Sequence, residues 1–521
     1  MKKPYRAIIF MLLLISCVFG LSACSGNDEQ DTSQTIAENN QNIIVDSSSQ
    51  NPSNSGITQG SESVADVQTS PMIVMAGIHN LVTMFYITAE GELWAWGRGE
   101  QGQLGNSTLQ DSFVPVQVHI ENVVTVATGR MLMNDSIYAL DSNGVVHAWG
   151  LNHERIRFEM DDGVHYRIFG TLGLGENEAD VITVPTPLQL PRIKDIVVAN
   201  HFGSTFAITE SGDVYAWGAT EIGSVGYDSW THLSTIFTPQ RIPELSNIVQ
   251  IYSDKTGVTI GSAIHAVDSN GDVWVWGGLL GNLGVMLGEI SEEDASIIIP
   301  AEYNDGVPVL GIINPIRLTK IRDVERIIDM TTFLMQNGAR WGLADGYFIE
   351  IQLGHEQIID HHISAFIPHH NDVSFFLDSN GYLHQPFIAD FWHESEATGG
   401  IEISPSTVVN FDPNPLRGVY NVASMLFTGS LWGRPNPQQL LLFMKDDATV
   451  WSYEIPNAPM QFEEISGAVS IQVIDSSIFV ILETGDVWAW GNNRGGRLGM
   501  GFAEDSTPET VVENPVLIRF D

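Results

Sequence analysis

The sequence predicts an all-β repeat protein of the propeller type, preceded by an export signal and an unfolded tether. Three observations predict it. A glycine followed by an alternating apolar strand ending in Trp-Gly recurs five times; a Gly-x-Leu/Val-Gly turn follows each copy; and Trp96, Trp149, Trp217 and Trp276 are separated by 53, 68 and 59 residues. A period that long exceeds the helical solenoid repeats and suits one four-stranded unit per repeat.

The strand copies run from Gly91 through Trp96 to Gly97, from Gly144 through Trp149 to Gly150, from Gly212 through Trp217 to Gly218, from Gly271 through Trp276 to Gly277, and from Gly485 through Trp490 to Gly491. The turns are Gly102–Gly105, Gly170–Gly173, Gly223–Gly226, Gly281–Gly284 and Gly496–Gly499. In Gly271-Asp272-Val273-Trp274-Val275-Trp276-Gly277 the two Trp share one face and the two Val the other, because strand side chains alternate. Both faces are apolar, which is what a blade stacked between two others requires. Asp-Ser-Asn-Gly precedes three such strands, at Asp141–Gly144, Asp268–Gly271 and Asp378–Gly381, as a tight hairpin turn. A calcium loop is the rival, since Asp268, Asn270 and Asp272 offer oxygens at alternate positions, but the downstream bidentate Glu of an EF-hand is missing. Pro115, Pro187, Pro239, Pro315 and Pro508 each open a short aliphatic run. Lacking an N–H, proline is confined to strand starts and edges, so these mark outer-edge strands.

The Trp-Gly strand followed by Gly-Gln-Leu-Gly resembles the repeat of the RCC1 (regulator of chromosome condensation) family, over roughly residues 71–521. The resemblance implies an RCC1-like β-propeller of seven blades. Eight is the alternative count, because degenerate hairpins are read at Trp341–Ile351, Phe375–Gln385 and Leu441–Tyr453, none with the full Trp-Gly ending. Members of the family include a nucleotide-exchange factor for a small GTPase and a secreted inhibitor of β-lactamases, so the fold alone does not choose a function.

Residues 1–23 read as a signal peptide: Lys2, Lys3 and Arg6, an apolar stretch from Ala7 to Leu21, then Leu21-Ser22-Ala23-Cys24. The last four residues resemble the lipobox of bacterial lipoprotein precursors, which implies that Cys24 is lipidated and begins the mature chain. Residues 24–70 are rich in Ser, Asn, Gln and acids, without aromatic, Lys or Arg, and read as a disordered acidic tether. A coil of that length spans about 40 Å. Residues 71–521 are the propeller, and the expected location is the extracytoplasmic side of a cell membrane, held by a lipid anchor. Cys17 and Cys24 are the two cysteines, so the mature chain has no pair for a disulfide or a thiolate zinc site.

Lys and Arg number 23 against 63 acids, for a net charge of −40. Phosphate neutralisation by basic residues supplies most non-specific affinity for nucleic acid, so nucleic acid is excluded as a partner. No Gly-x-Ser-x-Gly elbow and no phosphate-binding Gly-x-x-x-x-Gly-Lys motif occurs, so no catalytic residue is nominated, no cofactor is expected, and the chain is read as a binding or scaffolding protein and not an enzyme. The partner expected is a protein or another envelope component.

Function on a repeat scaffold concentrates in insertions. One insertion, Leu151–Phe169, separates a Trp-Gly from its glycine turn and gathers Arg155, Arg157 and Arg167, a residue type favoured at interface anchors. A second runs from about Glu289 to Ile312. Trp230 and Trp392 lie outside the repeated strand and are the aromatics available to a partner or a glycan. A histidine-rich stretch containing His361 and His369 is the metal alternative, although adjacent histidines alternate faces and no convergent carboxylate pattern accompanies them.

Overall fold

A computed structural model describes most of residues 70–520. Outside the description lie residues 1–69 and 521, the longer stretches 129–135, 200–203, 221–224, 227–234, 254–262, 279–287, 291–296, 300–308, 363–374, 395–400, 412–421, 429–439 and 502–510, and some shorter ones.

Among the described residues there is no α-helix, and seven sheets of four or five strands follow one another along the chain. The first holds Met72–Ile78, Leu81–Ile87, Leu93–Gly97 and Ser112–Val118, in that order. The second holds Val123–Thr128, Ser136–Asp141, Val146–Leu151 and Val181–Pro187. The third holds Ile193–Val198, Thr205–Thr209, Val214–Ala219 and Thr235–Arg241. The fourth holds Ile248–Ser253, Ala263–Asp268, Val273–Gly278 and Val309–Arg317, with Ile297–Ile299 added outside. The fifth holds Val324–Ile327, Thr332–Met335, Arg340–Ala344 and Tyr347–Glu350. The sixth holds Val422–Thr428, Leu440–Lys445, Val450–Glu454 and Met460–Gln461. The seventh holds Ala468–Ile474, Ser477–Leu482, Val487–Asn492 and Val511–Ile518. These are the blades of a β-propeller. Of the hairpin that raised the count to eight, Phe375–Gln385, the described residues lie in a three-stranded meander of Ile358–His362, Phe375–Asp378 and Leu383–His384, with no fourth strand among the described residues.

Two compact units divide the chain. One takes in residues 151–182 and 188–330; the other takes in 183–187, 331–521 and the blades before residue 150. The same interlock holds neighbouring blades inside each. In the first unit, a Cβ on Gly173 would stand 2.8 Å from Trp217 Nε1, and one on Gly226 3.0 Å from Trp276 Nε1. In the second unit, Gly105 meets Trp149 in the same way and Gly499 meets Trp96. The indoles of Trp149 and Trp96 donate to the carbonyls of Gln103 and Arg497 at 2.8 and 2.9 Å. Each of these four glycine turns is therefore the seat for the tryptophan of the following blade, the last blade's turn seating the first blade's tryptophan. This is why the two motifs recur together. The Leu or Val of the turn fills the same space: Leu104, Leu172, Val225 and Leu498 are all buried.

A second interlock joins each hairpin to the entry of the next blade. Val123 N donates to Gly91 O, Ile248 N to Gly212 O, Val324 N to Gly271 O and Ala468 N to Ala448 O, all at 2.9–3.1 Å. A third covers the outer strands. Gly501 N bonds Phe113 O, Ser107 N bonds Thr183 O and Gly175 N bonds Phe237 O. Each bond satisfies part of a sheet edge that would otherwise be open.

Two expectations are corrected. Pro115, Pro239 and Pro315 do not start their strands but sit inside them, where the register shifts opposite Trp96, Trp217 and Trp276. A bulge needs no ladder N–H from the bulged residue, which is the one interior position a proline tolerates. Pro187 ends its strand, Pro508 lies outside the described residues, and Pro515 holds the bulge position in the seventh blade. The other correction concerns Trp341-Gly342, read as the start of a hairpin without a Trp-Gly ending. Thr332 pairs with Gly342 and Phe333 with Trp341, matching Thr83 with Gly97 and Met84 with Trp96. They are the Trp-Gly end of the fifth blade's third strand.

Candidate functional site

The Leu151–Phe169 insertion is a β-hairpin and not a loop. His153–Met160 pairs antiparallel with Gly163–Gly170 as a sheet of its own, inserted between the third and fourth strands of the second blade. Polar and apolar residues alternate along Arg155-Ile156-Arg157-Phe158-Glu159, the pattern of a strand. Its base is pinned. Asn152 N and His153 N both donate to Asp180 O at 2.8 and 3.0 Å, and Asn152 Nδ2 donates to Ala179 O. The buried His153 ring stands edge-on to Phe237 at 5.4 Å, with Nδ1 3.7 Å from an Asp180 carboxylate oxygen. The return strand Gly163–Gly170 lies against Val214–Ala219 and Thr235–Arg241 of the third blade.

The register separates the three arginines. Arg155 lies opposite Ile168 and Arg157 opposite Tyr166, whereas Arg167 lies opposite Ile156. Opposed residues share a face and neighbours alternate. By register Arg155 and Arg157 thus fall on one ladder face and Arg167 on the other.

The second insertion adds Ile297–Ile299 to the outside of the fourth blade. It is tied down by Glu289, whose carboxylate accepts from Thr319 N, from Thr319 Oγ1 at 2.9 Å and from Lys320 N at 2.6 Å. Trp392 lies in the strand Trp392–Glu394, paired with Ile401–Ile403, and His361 in the strand Ile358–His362, opposite Phe376. Trp230, His369 and Cys24 lie outside the described residues. Among the described residues no group of three or more His, Cys, Asp or Glu is placed to hold a metal ion.

The Asp-Ser-Asn-Gly turns are decided by where the carboxylates go. Asp268 Oδ1 accepts from Asn270 N and Asp272 N at 2.9 and 3.1 Å, and its Oδ2 from Trp274 Nε1 at 3.2 Å. Asp141 repeats this, with Asn143 N, Val145 N and the His147 ring as partners. Asp272, the third oxygen donor of the calcium reading, faces the guanidinium groups of Arg317 and Arg322. These carboxylates are engaged by the turn and by cations of the protein itself. Burial pushes the Asp272 pKa up, but the bonds and charges of Arg322 and Arg317 outweigh it and hold it below the ordinary carboxylate value. A depressed folded pKa contributes stability that is complete above the unfolded value of about 3.9 and disappears as pH falls through the folded one. Asp272→Asn is therefore expected to lower the melting temperature at pH 7, with the gap to wild type closing as pH drops below about 4. A gap that stays constant through thermal scans from pH 7 to acid contradicts this.

Stacked antiparallel four-stranded sheets, interlocked blade to blade by a Trp and a glycine turn, define a repeat β-propeller. Residues 90–132 match the Regulator of chromosome condensation (RCC1) repeat. The chain is 30% identical to protein pim1 of Schizosaccharomyces pombe over 211 residues, 37% of this chain and 34% of pim1. It is also 30% identical to the ultraviolet-B receptor UVR8 of Arabidopsis thaliana over 236 residues, 42% of this chain and 46% of UVR8. The chain thus spans about a third to a half of the length of these relatives. Human WBSCR16, a solved structure, aligns at 16% identity with a TM-score of 0.40, over 82% of this chain and 94% of WBSCR16.

Proposed function

We propose that this chain is a non-catalytic, protein-binding propeller, held by a lipid on Cys24 at the extracytoplasmic side of a cell membrane, and that its partner is met by the His153–Gly170 hairpin. The observation that bears this reading is the hairpin itself. Four blade joints share one Trp–glycine-turn interlock, and here an extra self-paired sheet is inserted into the second blade and fastened at its base by Asp180. The interlocks do not need it, so its presence calls for another use. The Leu21-Ser22-Ala23-Cys24 sequence, the aromatic-free tether and the net charge of −40 support the location and argue against a nucleic-acid partner.

The test replaces Glu154–Phe169 with a two-glycine link and compares capture from native envelope extract, washed at about 0.15 M and then about 1 M salt to remove screened contacts. The thermal transition is expected to stay in place and retention of a saturable partner at high salt to be lost. Capture that is unchanged by the deletion overturns the role of the hairpin.

A further inference from the structure

Resting on the reading of the hairpin as a contact surface, we propose that its occupant is a second copy of this chain, the two His153–Met160 strands pairing antiparallel about a two-fold axis at Phe158. The return strand lies against the third blade, so among the described residues His153–Met160 is the edge left to pair. Its sequence, His-Glu-Arg-Ile-Arg-Phe-Glu-Met, has no proline and no lysine. Proteins blunt exposed edge strands with proline, charged side chains, bulges or short lengths; this edge carries Glu154, Arg155, Arg157 and Glu159, but it is eight residues long and its register with the return strand is free of shifts. It has the makings of a strand meant to be paired.

The sequence is self-complementary in one register. With Phe158 opposite its own copy, Arg157 stands opposite Glu159 and Glu159 opposite Arg157, while Ile156 and Met160 oppose each other. Opposite charges face each other on one side of the joint sheet, and three apolar pairs form on the other. Directly opposed pairs of both kinds are the units that stabilise antiparallel sheets. Sliding by two residues sets Arg157 against Arg157 or Glu159 against Glu159. Sliding by one sets charged residues against apolar ones, so the register is specified. An isologous two-fold contact demands this kind of self-matching, in which residue i meets j and j meets i. On a membrane, the pair would also double the number of lipid anchors holding the assembly.

The test is a thiol placed on the axis, in the full chain produced in its own envelope. Phe158→Cys brings one sulfur from each copy together, and mild oxidation is expected to give a reducible dimer. Ile156→Cys sets its two thiols four residues apart along the joint strands, beyond disulfide reach, and is expected to give none. The unsubstituted chain controls for Cys24. Adding Arg157→Glu to Phe158→Cys is expected to cut the dimer at least tenfold, and adding Glu159→Arg as well to restore it. Equal cross-linking from Cys at 156 and 158, no rescue by the double exchange, or no dimer from Phe158→Cys with an unsubstituted chain that sediments as a monomer each overturns the proposal. The two readings fail separately. Envelope capture lost on hairpin deletion without any cross-link leaves a different partner for the hairpin; a register-specific cross-link with capture unaffected leaves the dimer and removes the envelope partner from this site.

Discussion

Trp149→Ala is expected to lower the unfolding free energy by about 4 kcal/mol or more, a large part of the 5–15 kcal/mol that holds an ordinary domain folded. Trp149 is completely buried, edge-on to Phe85 at 6.2 Å, and sits over the turn that contains Gly105. Removing a buried Trp side chain costs about 3–5 kcal/mol through lost transfer energy and the cavity left behind. The Gln103 carbonyl, which accepts the indole N–H at 2.8 Å, is also left without that donor. An orphaned buried acceptor adds about 1–3 kcal/mol. Trp149→Phe keeps most of the apolar volume and loses the N–H, so it should fall between wild type and Trp149→Ala. Urea unfolding followed by tryptophan fluorescence orders the three proteins. A Trp149→Phe variant as unstable as Trp149→Ala would show that the hydrogen bond, and not the packing, holds the blades together.

The same contact explains what could be read in the sequence. Trp-Gly and Gly-x-Leu-Gly are halves of one joint, so neither drifts without loss, and both stay visible wherever the joint is built to the common pattern. In the fifth blade only three residues separate Gly338 from Gly342, against five between Gly91 and Gly97. The shortened hairpin hid Trp341-Gly342 from a search keyed on spacing, and the pairing of Thr332 with Gly342 recovers it. The sixth blade has Tyr453-Glu454 where its register calls for Trp-Gly. Its outer strand is only Met460–Gln461, paired with Ser452 and Trp451 without a bulge.

The candidate site was legible as a position and not as a structure. Charge density marked residues 151–169 as a departure from the repeat, while the alternation in Arg155–Glu159 that makes it a strand was masked by the arginines taken as a cluster. Pairing across the hairpin, which puts Arg167 on the face opposite to Arg155 and Arg157, depends on the turn position. It can be seen only once Met160 is known to pair with Gly163. The partners of Asp272 were out of view for a similar reason. Asp272 meets Arg317 and Arg322 across 45 and 50 residues of sequence, a distance that motif spacing does not sample.

Gly97→Ala is expected to cost at least about 3 kcal/mol, and Gly485→Ala, at a similar backbone angle, only about 1–2 kcal/mol. Gly97 has φ +103 and Gly485 φ +83, so an L-side chain is strained at both. They differ in what the new Cβ meets. At Gly97 it would stand 2.4 Å from Val82 O, whereas at Gly485 nothing lies within 4 Å. The obstacle is a backbone carbonyl, fixed in the ladder and accepting from Arg98 N at 2.8 Å, so no side-chain rotation relieves it. The strand must move, and with it Trp96, whose ring is held against the last blade by the Arg497 carbonyl. Gly491 is built the same way: its Cβ would stand 2.4 Å from Ser476 O, and Asn492 N donates to that oxygen. If Gly97→Ala and Gly485→Ala shift the urea midpoint equally, positive φ accounts for the glycines on its own and the close approach to the neighbouring strand contributes nothing. A deficit at least twofold larger at Gly97, reproduced at Gly491, means that the glycine of the Trp-Gly pair is there to let two strands come within contact of each other at the bulge.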